Sequence, residues 1–206
     1  MITTRTCLVL GAGASAPFGY PVGAALTESI KSELNPSQPS RLKNDLMSAG
    51  FSSERLMLFR DALRYSQRLS IDAFLEDWKE DFMDVGTAAI AASLIRWEDP
   101  DVVIDQPNWY RRLFHEMTDG DDFSKNLLRI VTFNYDRSLE FFFYWALQGR
   151  YRISGEEAAK WFAKFPIVHM YGNLGSLPGL FVDGRLYGEK GTPAIISAAI
   201  DSREIE

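Results

Sequence analysis

The sequence is short of several things, and each shortage closes off a class of protein. It has one cysteine, Cys7, in 206 residues. A single thiol excludes a disulfide framework or a cysteine-based zinc site within one chain. No apolar run approaches the roughly 20 residues needed to span a bilayer. Residues 1–10 hold only a short apolar run that leads straight into a glycine turn, so no signal peptide is expected. Basic charge is also scarce: the net charge is −6. Nucleic-acid binders usually carry a basic stripe, and pairs such as Arg111-Arg112 read as solvated surface. These absences lead us to expect a cytoplasmic protein with no membrane segment, no metal and no direct nucleic-acid contact.

What is present suits a packed domain. Hydrophobic residues make up 46% and aromatics 13%, more than a disordered chain would carry. The length suits a single domain over residues 1–206, with room for a small inserted subdomain.

Thr6-Cys7-Leu8-Val9-Leu10 reads as a buried parallel strand stopped by glycine, with Cys7 packed as a small hydrophobe. Residues 24–34 read as a helix ended by Asn35-Pro36. Residues 43–97 read as several helices. Ile71, Phe74, Leu75 and Trp78 fall at i, i+3, i+4 and i+7, and the alanine-rich 83–97 segment suggests a buried helix. Residues 99–107 read as a loop broken by Pro100 and Pro107, 109–117 as a short amphipathic helix, and 118–122 as a turn. Residues 127–133 form the second strand and a helix follows over 137–147. Ser154-Gly155-Glu156-Glu157 has capping-box spacing and opens a helix to about residue 164. Residues 166–170 form the third strand, with short strands expected at 180–183 and 194–196.

Strands alternate with helices, so the expected fold is α/β: a Rossmann-like parallel sheet with flanking helices and a helical insertion at 43–97. Ligands bind such sheets at the carboxyl ends of the strands. That rule selects three places: residues 11–15, 132–136 and 169–176.

At the first place Gly11-Ala12-Gly13 follows a strand. Glycine permits a tight turn and a close backbone approach to a pyrophosphate, and Ser15 adds a hydroxyl. Read alone, the pair of glycines equally suits a turn with no ligand. Ala16 stands where G-x-G-x-x-G has its third glycine, which argues against an ordinary dehydrogenase fingerprint.

Four segments in order resemble a known family. Gly11-Ala12-Gly13-Ala14-Ser15 followed by Gly19-Tyr20-Pro21 resembles the sirtuin opening. Ser70-Ile71-Asp72-Ala73-Phe74-Leu75 looks like a segment of bacterial sirtuin-like proteins. Thr132-Phe133-Asn134-Tyr135-Asp136 with Leu139-Glu140 resembles the sirtuin T-x-N-x-D…L-E. His169-Met170-Tyr171-Gly172 with Leu174 resembles the H-x-H-G-x-L strand end. Deacylating sirtuins usually carry a four-cysteine zinc ribbon, which this chain cannot supply. The resemblance is therefore closer to bacterial sirtuin-like domains that hydrolyse NAD, often as effectors of anti-phage defence.

The resemblance implies NAD as substrate, no metal, and a homo-oligomer or a partner defence subunit. It assigns catalysis to Asn134 and His169. It assigns NAD contacts to Gly11, Ala12, Gly13, Ala14, Ser15, Gly19, Pro21, Asp72, Thr132, Asn134, Asp136, Tyr171 and Gly172. Cleaving the nicotinamide–ribose bond passes through an oxocarbenium-like state. The leaving group is already cationic, so the need is for an oriented water and a proton-handling group. Asn134 can hold water or ribose without adding charge. Asp136 can hold the nicotinamide amide, hold the loop, or cap the next helix. The family's catalytic histidine directly precedes the glycine, and here that position is Tyr171. On a strand, 169 and 171 share a face, which would let His169 serve as the base; the other reading makes His169 structural and Tyr171 a substrate contact. The family's late G-[F/Y]-S-x-x-D motif is absent. Three activities follow as alternatives: NAD hydrolysis, NAD or ADP-ribose sensing without cleavage, and NAD-dependent deacylation.

Overall fold

A computed structural model describes residues 1–117, 123–177 and 185–189. The turn expected at 118–122 and the strands expected at 180–183 and 194–196 lie outside the described residues. The fold is mixed α/β. Two compact units divide it: Met1–Phe18 with Glu98–Glu189, and the helical Gly19–Trp97. The insertion is therefore larger than the 43–97 expected from sequence, because the first helix belongs to it as well.

The first unit is built on three parallel strands in the order β1-β2-β3: β1 (Thr6–Leu10), β2 (Leu128–Thr132) and β3 (Ile167–His169). Leu10, Thr132 and His169 stand in register, so all three strands end on one line. Side chains alternate across a strand. Leu128, Ile130 and Thr132 are buried, while Arg129 is exposed. The same alternation corrects the reading of β1 as a wholly buried strand. Cys7 and Val9 are exposed, Val9 at 66%, and they fall on the same face as Arg129, with which Cys7 is paired. Cys7 is thus not a core hydrophobe.

The helices need numbering across both units. In Gly19–Trp97 they are α1 (Gly23–Glu33), α2 (Arg41–Ser48), α3 (Ser53–Tyr65), α4 (Ile71–Asp77) and α5 (Lys79–Ile95). Ser40, Ser52 and Ser70 cap α2, α3 and α4, each accepting from the backbone N–H three residues on. Such a cap satisfies a donor the helix itself leaves free, worth about 1 kcal/mol. Ile71, Phe74 and Leu75 are buried. The Ser70–Leu75 motif is thus largely accounted for by capping and packing. Helix α5 is buried along nearly its whole length, as its alanine-rich sequence predicts.

In the sheet unit, α6 (Pro100–Asp105), α7 (Trp109–Met117), α8 (Ser138–Tyr151) and α9 (Gly155–Phe162) follow. Helix α6 replaces the loop expected at 99–107. Pro100 does not break it; it stands in the first turn, where proline's missing N–H costs nothing. The Asp99 carboxylate caps it, accepting from the N–H groups of Asp101 and Val102 at 3.0 and 3.3 Å. Ser154 caps α9 as its spacing predicts, accepting from Glu157 N. Tyr110 on α7 stacks on Phe18 at 4.5 Å between ring centroids. Phe143 on α8 stacks on Phe165 just before β3, at 5.6 Å. These rings hold the helices beside the ends of the strands.

Candidate functional site

The three strand ends bring most of the sequence-selected residues of this unit together. After β1 the chain turns at once into a 3-10 turn, Ala12–Ala14, and a second, Ala16–Phe18. Neither Gly11 nor Gly13 has a positive φ, so the glycines are not there to permit a left-handed turn. What they leave is space. A Cβ at either position would meet nothing within 4 Å, so a ligand has a clear approach to this backbone. The indole of Trp109 donates to Ala14 O at 2.8 Å and holds the turn against α7.

Ser15 is buried and joins the turn to the end of β2. Its hydroxyl donates to Asp136 Oδ2 at 2.5 Å. Asn134 Nδ2 donates to Gly11 O at 3.0 Å and to Ser15 Oγ at 2.9 Å. Both bonds use the amide nitrogen, so Asn134 Oδ1 has no protein partner among the described residues. Thr132 Oγ1 accepts from Asn134 N at 3.0 Å and sets the loop's exit from the strand.

Asp136 is buried, and both its oxygens are occupied. Oδ1 accepts from Ser138 N at 3.1 Å and from the Ser138 hydroxyl, while Oδ2 accepts from Ser15. Burial raises its pKa above the usual carboxylate value, and bonds from Ser138 and Ser15 offset only part of that. Of the roles open to Asp136 in the sequence, the geometry fills two: it holds the loop and satisfies the first N–H of α8. Tyr110 OH lies 2.8 Å from Ser138 Oγ and extends the network.

His169 ends β3. Its Nδ1 lies 2.7 Å from the Asn134 carbonyl oxygen and its Nε2 lies 2.6 Å from Glu140 Oε1. A carbonyl oxygen only accepts, so Nδ1 carries a proton. The other nitrogen faces a carboxyl group. Both ring nitrogens thus have a partner in this arrangement. Ser15, Thr132, Asn134, Asp136, Glu140 and His169 line one small cavity of about 10 Å³, roughly the space of one water. The His169–Glu140 pair also borders a larger cavity of about 320 Å³, walled by Phe162, Phe165 and Leu177.

Tyr171 lies two residues beyond the end of β3. β3 stops at His169, so the shared-face rule does not reach residue 171. The Tyr171 ring instead stacks with Tyr135 at 6.3 Å and tilts against Phe133 at 5.8 Å. Gly172 is buried with φ +81°, a left-handed conformation that costs glycine least. Gly19, Pro21 and Asp72 belong to the helical unit.

Sequence reasoning missed two groups. Glu140 stood inside the quoted Leu139-Glu140 motif but received no role; its i+4 spacing from Asp136 was the available signal. The second is the buried Glu98–Arg137–Arg185 cluster. Arg137 Nε and one terminal nitrogen grip the two oxygens of Glu98 at 3.0 and 3.1 Å, and Arg185 reaches Oε1 at 2.6 Å. Nothing in the local pattern marks it. Comparison of the chain with protein-family models, with curated proteins and with solved structures finds no match.

Proposed function

We propose that the sheet unit binds NAD at the carboxyl ends of β1 and β2 in a Rossmann-like manner, and that the protein is an NAD hydrolase of the sirtuin-like kind, acting as an NAD-depleting effector in anti-phage defence. The observation that carries this reading is the convergence of Ser15, Asn134, Asp136 and His169 at three aligned strand ends, where ligands of open α/β sheets bind. The open backbone at Gly11 and Gly13 suits a pyrophosphate. Asn134 Oδ1 is the acceptor for a ribose hydroxyl or the attacking water. Asp136 and Ser15 keep the two loops in place rather than touching the reacting bond.

The test is nicotinamide release from NAD, followed by chromatography, with affinity measured by calorimetry. Asn134→Ala should reduce the rate by roughly a hundredfold or more, the usual contribution of a positioned proton-handling or water-orienting group. A wild-type protein that binds neither NAD nor ADP-ribose would sink the proposal.

One observation favours a second reading, a sensor that binds NAD or ADP-ribose without cleaving it. His169 has both ring nitrogens engaged, so the site as arranged holds no free histidine base. Calorimetric binding with no nicotinamide release would select this reading.

A further inference from the structure

We propose that Glu140 is a positioning residue: it holds His169 as an imidazolium whose Nδ1–H grips the Asn134 carbonyl, and so sets where the Asn134 carboxamide lies. The proposal concerns the same site as the NAD reading, but its first readout does not depend on NAD.

The chain of contacts is short and directional. Glu140 sits in the first turn of α8, where the helix N-terminus favours a negative charge. Its Oε1 meets His169 Nε2 at 2.6 Å, and the two side chains are only 13% and 8% exposed. On the far side of the ring, Nδ1 meets Asn134 O at 2.7 Å. Asn134 then reaches Gly11 O and Ser15 Oγ with its side chain. One residue thus has its carbonyl held by His169 and its carboxamide held by the glycine turn. Loss of the imidazolium would turn the charge-assisted bond to the carbonyl into an ordinary neutral one, about half as strong, and so loosen the loop that aims Oδ1.

A purely structural role explains the pair poorly. Buried ion pairs add little net stability, because desolvation cancels most of the attraction. Glu140 Oε2 is moreover buried with no hydrogen-bond partner among the described residues, which is unfavourable for a carboxylate oxygen. A carboxylate kept there at a loss to the fold fits a group retained for its charge. The charged groups around the ring agree. Burial opposes the imidazolium, but Glu140 from α8, the Asn134 carbonyl and Asp136 from the loop after β2 together outweigh it and raise the His169 pKa. Arg137 borders the same larger cavity, but its guanidinium is committed to Glu98 and to backbone carbonyls.

The experiment is a nitrogen-15 NMR titration of the imidazole rings and of the Asn134 side-chain amide in the full chain. His115 is the only other histidine, and His115→Gln removes its signals. In the wild type His169 should carry protons on both nitrogens at about pH 7, above the ordinary midpoint near 6.5. The Asn134 amide should shift with the same midpoint. In Glu140→Gln that midpoint should fall by about one pH unit or more, with His169 neutral at pH 7 and its proton on Nδ1, and NAD affinity should weaken by up to about tenfold, as the charge-assisted bond to the Asn134 carbonyl becomes a neutral one. A wild-type ring with a single protonated nitrogen at pH 7 would overturn the proposal without any variant. So would an Asn134 amide that ignores the His169 titration. If both NMR signatures appear but NAD does not bind, the positioning role stands and the NAD reading fails.

Discussion

Replacing Arg137 with methionine should cost more stability than any other single change at the sheet's edge. Its guanidinium is 2% exposed and Glu98 is fully buried. Besides the two-pronged grip on Glu98, Arg137 donates to Ser176 O at 2.8 Å and Arg185 O at 3.0 Å, with longer contacts to Gly175 O and Leu186 O at 3.3 Å each. Arg137→Met removes from buried Glu98 its two-pronged partner, leaving the contacts to Arg185 and Gly188 N, and strips those carbonyls of a donor. Removing one member of a buried pair costs about 3–5 kcal/mol. A domain's whole stability is about 5–15 kcal/mol, so at least about a fifth of it would go. With a urea dependence of roughly 1–3 kcal/mol per molar, the unfolding midpoint should fall by about 1–5 M. Arg137→Lys should recover little, because a point charge cannot reproduce the planar fork. The pair Glu98→Met with Arg137→Met should cost less than the sum of the single changes, by at least about 1 kcal/mol, since no carboxylate is then stranded. A loss below about 1 kcal/mol for Arg137→Met, or simple additivity in the pair, would refute the account of the cluster.

Two further outcomes follow from the same kind of argument. Asp136 has its folded-state pKa raised, chiefly by burial. Its contribution is therefore fully present below the unfolded value near 3.9 and lost as pH rises through the folded value. The stability of wild type minus that of Asp136→Asn should decline as pH rises from about 3 towards neutrality, read from urea midpoints at each pH; a rising difference would mean that the bonds from Ser15 and Ser138 outweigh burial. Asp99→Ala removes the cap of α6 and should lower stability by about 0.5–2 kcal/mol, while an unchanged melting temperature would show that Pro100 alone sets that start.

Much of the architecture was readable because it depends on neighbours in sequence. The spans of β1, β2 and β3 follow from short apolar runs stopped by glycine or polar turns. The helix start at Ser154 is a local hydrogen bond between a hydroxyl and an N–H three residues on; Ser40, Ser52 and Ser70 make the same bond, though the sequence reading placed no helix start at them. Asp99-Pro100 was equally local, yet it was misread. Proline breaks a helix interior but begins a helix well, and only the Asp99 cap tells the two apart. Gly11 and Gly13 have no positive φ, and a Cβ at either would meet nothing within 4 Å, so neither turn geometry nor packing inside the fold requires glycine there.

By itself, the sequence determined which residues stand at the strand ends, since period and punctuation place Ser15, Asn134, Asp136 and His169 there. It could not decide what those residues do to one another. Cys7 faces outward because its side of β1 is exposed, a fact about the sheet and not about the apolar run that contains it. Tyr171 packs against Phe133 and Tyr135, a pairing of rings that comes from the loop after β2. Glu140 takes up His169 across 29 positions, and Arg137 takes up Glu98 across 39. Such pairs form only when segments far apart in sequence close on one point. Whether a buried charge is tolerated, and whether a histidine is a free base or a held cation, depends on the partners that closure supplies.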